Sequence, residues 1–136
     1  MHWTLEVVCV PVTDVGRAKE FYAGQLGFTV DHDTTVGETR VVQLTPPGSG
    51  CSIVIGTGLV DMSPGAQQGL QLVVPDLDAA HAELTGRGVE VTGIAVFDQG
   101  GQRPRQPGDK LDNVGFFYFR DPDGNGWAVQ QISSRG

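Results

Sequence analysis

Apolar and polar positions change period along this chain, and the changes come in the same order twice. The first passage opens with LEVVCVPV, a β-rich run ending at Thr13. Asp14 follows where a helix N-cap belongs. Behind it Val15, Ala18, Phe21, Tyr22 and Leu26 recur at helical spacing, and Gly27 is placed to stop the helix. Three short strands are predicted next, FTVDHD, TRVVQLTP and CSIVIG, separated by the turns TTVGE and PPGSG. The second passage opens with GLQLVVPD. Asp76 stands at the cap, Leu77, Ala80, His81 and Leu84 form the apolar stripe, and Gly86 or Gly88 ends the helix. VEVTGIAVF, NVGFFYFR and GWAVQQI supply three more strands, the last two joined by the dense turn chemistry of Asp121-Pro122-Asp123-Gly124-Asn125. Superposing Asp14 on Asp76 also pairs Val12 with Val74 and Ala18 with Ala80, and GFTV then falls on GVEV.

The predicted class is α+β, a βαβββ module used twice within one domain, residues 1–136. The first module covers about 4–56, residues 57–68 link the copies, and the second covers about 69–133. A sheet with a helix on one face must bury or use its other face. Two such modules are expected to form a curved mixed sheet around a shared cavity, which a second subunit could close further. The segment 98–113 is long for a hairpin connection and reads as a polar loop. Its Arg103, Arg105 and Lys110 suit either an arm that draws in an anionic ligand or a solvated loop.

Composition narrows the function classes. A hydrophobic share of 39% with 18% charged residues is that of an ordinary globular chain. No apolar run approaches the roughly 20 residues of a membrane span, and MHWTLEVVCV shows no basic leader, so the expected location is the cytoplasm. A net charge of −7 argues against nucleic acid as a partner. Cys9 and Cys51 match no zinc spacing and read as reduced thiols in apolar strands. No nucleophile elbow and no phosphate-cradling glycine loop is present.

The sequence VTDVGRAKEFYAGQLGFTV in the first half, with FRDPDGNGWAVQQI closing the second, resembles the vicinal oxygen chelate superfamily. That group holds glyoxalase I, extradiol dioxygenases, fosfomycin-modifying enzymes and bleomycin-binding resistance proteins. The resemblance runs from about residue 5 to 132 and implies the glyoxalase-like fold. It does not select an activity, because one scaffold serves many. The superfamily's metal enzymes commonly carry a His seven residues before each helix-capping Asp and a Glu seven residues after the first Asp of the DPDG turn. By that rule the positions here are Val7, Gly69 and Ala128, and CSIVIG offers no carboxylate or imidazole. A catalytic metal needs three or four N or O ligands, so the resemblance implies neither a metal nor another cofactor in this chain. Elsewhere, His2 and Glu6 share a strand face opposite Leu5, Val7 and Cys9. His81 lies on a helix stripe, and His32 sits in a polar strand end with Glu38 beyond it.

If the superfamily's register holds, strand alternation gives the cavity face. The ligand-binding candidates are Leu5, Val7 and Cys9 from the first strand, Gln71 from the fifth, Phe116 and Tyr118 before the last turn, and Ala128 and Gln130 after it, with Trp3 at the rim. Phe117, Phe119 and Trp127 are expected to face the helices. Such a lining suits a bulky aromatic or hydrophobic compound held by stacking and a few hydrogen bonds. The reading is therefore a metal-free binding protein that sequesters such a compound, as resistance members of the superfamily do, with a homodimer expected by analogy. Two alternatives stay open. One is an enzyme (lyase, isomerase, cyclase or dioxygenase) using cavity acid–base groups or atypical ligands, and the other is a module whose cavity is filled by side chains.

Overall fold

The computed structural model describes residues 1–135 and divides the chain into two units. One is Met1–Gln67 together with Asp121–Asn125, and the other is Gln68–Arg120 together with the segment from Gly126 onward.

In the first unit the elements are β1 (Val7–Pro11), α1 (Val15–Lys19), a π-helical continuation (Glu20–Gln25), β2 (Thr29–Val36), β3 (Thr39–Thr45) and β4 (Ser52–Gly56). The sheet order is β1-β4-β3-β2, with β1 parallel to β4 and the other pairs antiparallel. Asp14 caps α1 as its position predicts, its carboxylate accepting the Arg17 N–H at 3.0 Å. The helix then widens, with Leu26 N–H donating to the Phe21 carbonyl five residues back. That turn carries both Phe21 and Tyr22 into the core, where their rings meet edge to face at 5.2 Å. Gly27 ends the helix with φ of 79°, a conformation that costs a residue without Cβ nothing. One face of the sheet is buried through Val10, Val42, Leu44, Ile53 and Ile55, and burial of each such aliphatic stabilises by about 2 kcal/mol. The strand expected to stop at Asp33 continues through TTV to Val36. Threonine and valine are good strand formers, so the hairpin tightens onto Gly37, whose φ is 62°.

The turn Asp121–Asn125 belongs to this unit by its contacts. The buried Asp121 carboxylate accepts from the Tyr22 hydroxyl at 2.8 Å, from the Asn125 side-chain amide at 2.8 Å, and from the backbone N–H groups of Asp123 and Asn125. Asn125, wholly buried, also donates to the Pro11 carbonyl at 2.9 Å and accepts the Gln67 N–H at 3.1 Å. Asp123 takes the Thr13 hydroxyl at 2.7 Å and lies 3.5 Å from Arg17. Each buried polar group in this knot has a partner, as burial requires. The turn that closes the motif is therefore a clamp on helix and strand.

In the second unit the elements are β5 (Leu70–Val74), α2 (Leu77–Gly86), β6 (Ala95–Asp98), β7 (Gly101–Pro104), β8 (Gly115–Arg120) and β9 (Gly126–Gln131), in the order β5-β9-β8-β6-β7. Asp76 caps α2 through the Ala79 N–H at 3.0 Å. Phe117, Phe119, Trp127 and Val129 are buried, and the Phe119 and Trp127 rings lie parallel at 5.9 Å. His81 stands edge-on over Phe117 at 5.1 Å with Nε2 3.0 Å from the Thr92 carbonyl, a packing role for that imidazole.

Two expectations change here. The strand predicted over VEVTGIAVF shrinks to Ala95–Asp98, with a lone bridge from Val91 to Phe119. Thr92 bonds the Tyr118 backbone through both its N–H and its hydroxyl, and Gly93 follows, so the pairing breaks there. The polar loop at 98–113 is in part a strand, because β7 pairs antiparallel with β6. Its arginines are already engaged. Arg103 spans Asp98 at 2.7 Å and Asp109 at 2.8 Å, and Arg105 pairs with Asp78. The Arg103 guanidinium holds both Asp109 and Asp98 below the usual carboxylate range. The positive charge read as an anion lure is neutralised in place, leaving Lys110 exposed.

Candidate functional site

Alternation along β8 sends Phe117 and Phe119 into the core, so Phe116 and Tyr118 stand on the opposite, half-buried face. Register then fixes their neighbours. Tyr118 lies across from Ala128 and Ala128 across from Gln71, while Phe116 lies between Ala95 and Gln130, with Val73 beyond Gln130. The rings form a ladder. Phe97 meets Phe116 edge to face at 5.3 Å, and Phe116 and Tyr118 are parallel within 8° at 6.4 Å. The Tyr118 hydroxyl donates to Gln102 Oε1 at 2.9 Å, and partial burial pushes its phenol up, so it holds its proton across the neutral range. On the other flank Gln71 Nε2 donates to Gln130 Oε1, and Gln130 Nε2 donates to the Asn113 carbonyl at 2.9 Å. Amides thus border the aromatic surface. Such a surface stacks flat rings and aligns them by hydrogen bonds.

Five of the residues singled out from sequence, Gln71, Phe116, Tyr118, Ala128 and Gln130, share this face. The face also uses two that sequence reading missed. Phe97 follows Ala95 by strand alternation, and that signal was available. Gln102 lies on β7, whose GQRP sequence has no apolar residue to mark it as a strand. At the other end, Gly126 is closed over by Gln68, whose amide would collide with any added Cβ.

The remaining candidates lie in the first unit. Val7 and Cys9 are on β1, opposite Ser52 and Val54 of β4 and on the face away from Val10. Trp3 and Leu5 precede the strand and are 87% and 75% exposed, so alternation could not position them.

The chain matches the Glyoxalase/Bleomycin resistance protein/Dioxygenase superfamily over residues 4–129 and belongs to it. It is similar to TnmS3, an antibiotic binding protein from Streptomyces sp. CB03234, at 32% identity over 97% of this chain and 98% of that one, with a TM-score of 0.76. A glyoxalase/bleomycin resistance protein from the same Streptomyces strain is also 32% identical over 94% of this chain and all of its own length, with a TM-score of 0.73. A superfamily member from Sphaerobacter thermophilus DSM 20745 is 27% identical over 96% and 98%, with a TM-score of 0.74. No curated protein matches the chain. The superfamily's familiar metal donor set does not fit the residues present. Val7, Gly69 and Ala128 occupy its positions, and among the described residues no three His, Cys, Asp or Glu side chains are grouped to hold an ion.

Proposed function

We propose that this protein binds a bulky aromatic or otherwise hydrophobic compound and sequesters it unchanged, as an antibiotic-resistance protein of the glyoxalase/bleomycin-resistance type. The observation that carries the reading is the ring ladder Phe97–Phe116–Tyr118 bordered by amides on the open face of the second sheet. Stacking on such rings contributes about 0.5–1.5 kcal/mol per pair beyond plain burial. The protonated phenol and the glutamines orient a ligand without offering a base to attack it. The likeness to an antibiotic binding protein supports the same reading. Within it, Val7 and Cys9, on the face of β1 away from Val10, and Trp3 and Leu5 before that strand are further ligand-binding candidates, and the protein acts in the cytoplasm as a homodimer. Among the described residues no helix is long and apolar enough to cross a membrane.

Titration with neutral N-phenyl-1-naphthylamine tests this reading, with emission reporting entry into an apolar site. Saturable binding in the micromolar range is expected, with the probe recovered chemically intact, and Phe116→Ala should weaken it about tenfold. Absence of saturable binding, chemical conversion of a bound aromatic compound, or a stoichiometric transition metal in elemental analysis overturns it. Native mass spectrometry checks the dimer.

A further inference from the structure

β2 and β3 fall out of step between Val30 and His32, and Asp31 is the extra residue. In an unbroken strand Asp31 and His32 would point to opposite faces. The bulge turns both toward the same one, as bulges do where a side chain must be re-aimed. His32 pairs with Gln43, and the Asp31 carboxylate accepts the hydroxyl of Thr45, two positions along β3 from Gln43 and on the side away from the buried Leu44. Asp33 then falls on the helix side, where Arg40 and Lys19 bond it and hold it far below the usual carboxylate range.

The hydrogen bonds around Thr45 have a direction. Threonine has one hydroxyl proton, and it goes to Asp31. Ser52 Oγ, 2.6 Å from Thr45 Oγ1, is therefore the donor in that contact and keeps its lone pairs as acceptors. Ser52, Thr45 and Asp31 form a row across three strands whose protons all point inward along the row. What the row offers a ligand is acceptor oxygen, ending in a solvent-exposed carboxylate. The lysine and arginine nearest in this unit, Lys19 and Arg40, are committed to Asp33 on the other face, and His32 is the basic side chain beside Asp31 on the same one.

We infer that this row recognises a protonated aliphatic amine on an organic ligand of the first unit's open face. The ammonium donates to Asp31, and its remaining N–H groups meet the Gln43 side-chain oxygen and solvent, while the buried Ser52 holds the row's proton direction from below. A hydroxyl has one proton to give, whereas an ammonium has three and adds charge attraction. The inference rests on the reading that the protein takes up a small organic compound, and it specifies what a ligand of the first unit's open face carries.

Calorimetric titration with 1-naphthylmethylamine and with its neutral N-acetyl derivative tests the inference. In the wild-type protein at low salt the amine should bind about tenfold more tightly than the amide, and added salt should shrink the advantage. Asp31→Asn keeps an acceptor for Thr45 and removes the charge. It should abolish the preference while leaving affinity for the N-acetyl compound unchanged. Equal affinity of the two probes for the wild-type protein overturns the amine inference and leaves the small-molecule reading standing. Failure of both to bind overturns it as well, and the N-phenyl-1-naphthylamine titration then decides whether the broader reading falls with it.

Discussion

The two units share one strand arrangement, to which the second adds β7 at its edge, yet they differ where the repeat predicts likeness. Their helix-facing sides are alike in kind. Each has an aspartate cap, an alanine one turn into the helix, and aliphatic or aromatic side chains alternating into the core. Their open faces are not alike. The first carries a bulge and a hydrogen-bonded row of Ser52, Thr45 and Asp31, and the second carries a ladder of rings with amides at its edge. A helix-facing residue is constrained by close packing, in which a single methylene is felt. An open-face residue is constrained only by what the face must bind. The proposed function uses the side that packing leaves free.

The largest effect should come from the packed side. Phe117→Ala empties a fully buried site in the second unit and should cost about 4 kcal/mol in urea unfolding. A loss below about 1 kcal/mol would break the distinction between the two sides. Next is the clamp. Asp121→Ala strips the acceptor from the Tyr22 hydroxyl, the Asn125 amide and two backbone N–H groups, so unfolding free energy should fall by about 3 kcal/mol. Tyr22→Phe, which leaves the turn intact, should cost only about 1 kcal/mol.

A smaller effect depends on pH. Asp33 is held below its ordinary value by Arg40 and then Lys19. A depressed carboxylate stabilises the fold fully above its unfolded pKa, near 4, and that contribution fades as pH falls toward the folded value. The melting temperature should therefore decline from about pH 4 downward, and Asp33→Asn should flatten the decline. Identical acid profiles would remove Asp33 from the account. Smallest is the open face. Tyr118→Phe loses one half-exposed hydrogen bond to Gln102 and should leave stability within about 0.5 kcal/mol. Affinity for N-phenyl-1-naphthylamine should hold within about twofold, since the ring and not the hydroxyl stacks it. A large stability loss would mean that this face is core.

Much of the packed side was legible in the residues. The caps at Asp14 and Asp76, the stop at Gly27 and the inward Phe117, Phe119 and Trp127 all follow from period and from the chemistry of helix ends. The family pattern was legible too, in the run around Asp14 and in the DPDGN turn. The misses share a cause. β7 has no apolar alternation, because an edge strand paired on one side is specified by backbone hydrogen bonds and guarded by polar side chains. Arg103 and Arg105 read as free charge because their acidic partners, among them Asp78 some 27 positions away, are brought beside them only by folding.

The sequence by itself determined the elements that carry apolar periodicity, their caps and the sides on which they pack, because those depend on local propensity and on the period of apolar residues. Tertiary structure alone decided that DPDGN is a clamp. Tyr22 and Asp121 are 99 positions apart, and nothing local to either announces the other. It alone decided that Asp31 and His32 face the same way, since a bulge is a property of two strands in register and not of either strand read alone.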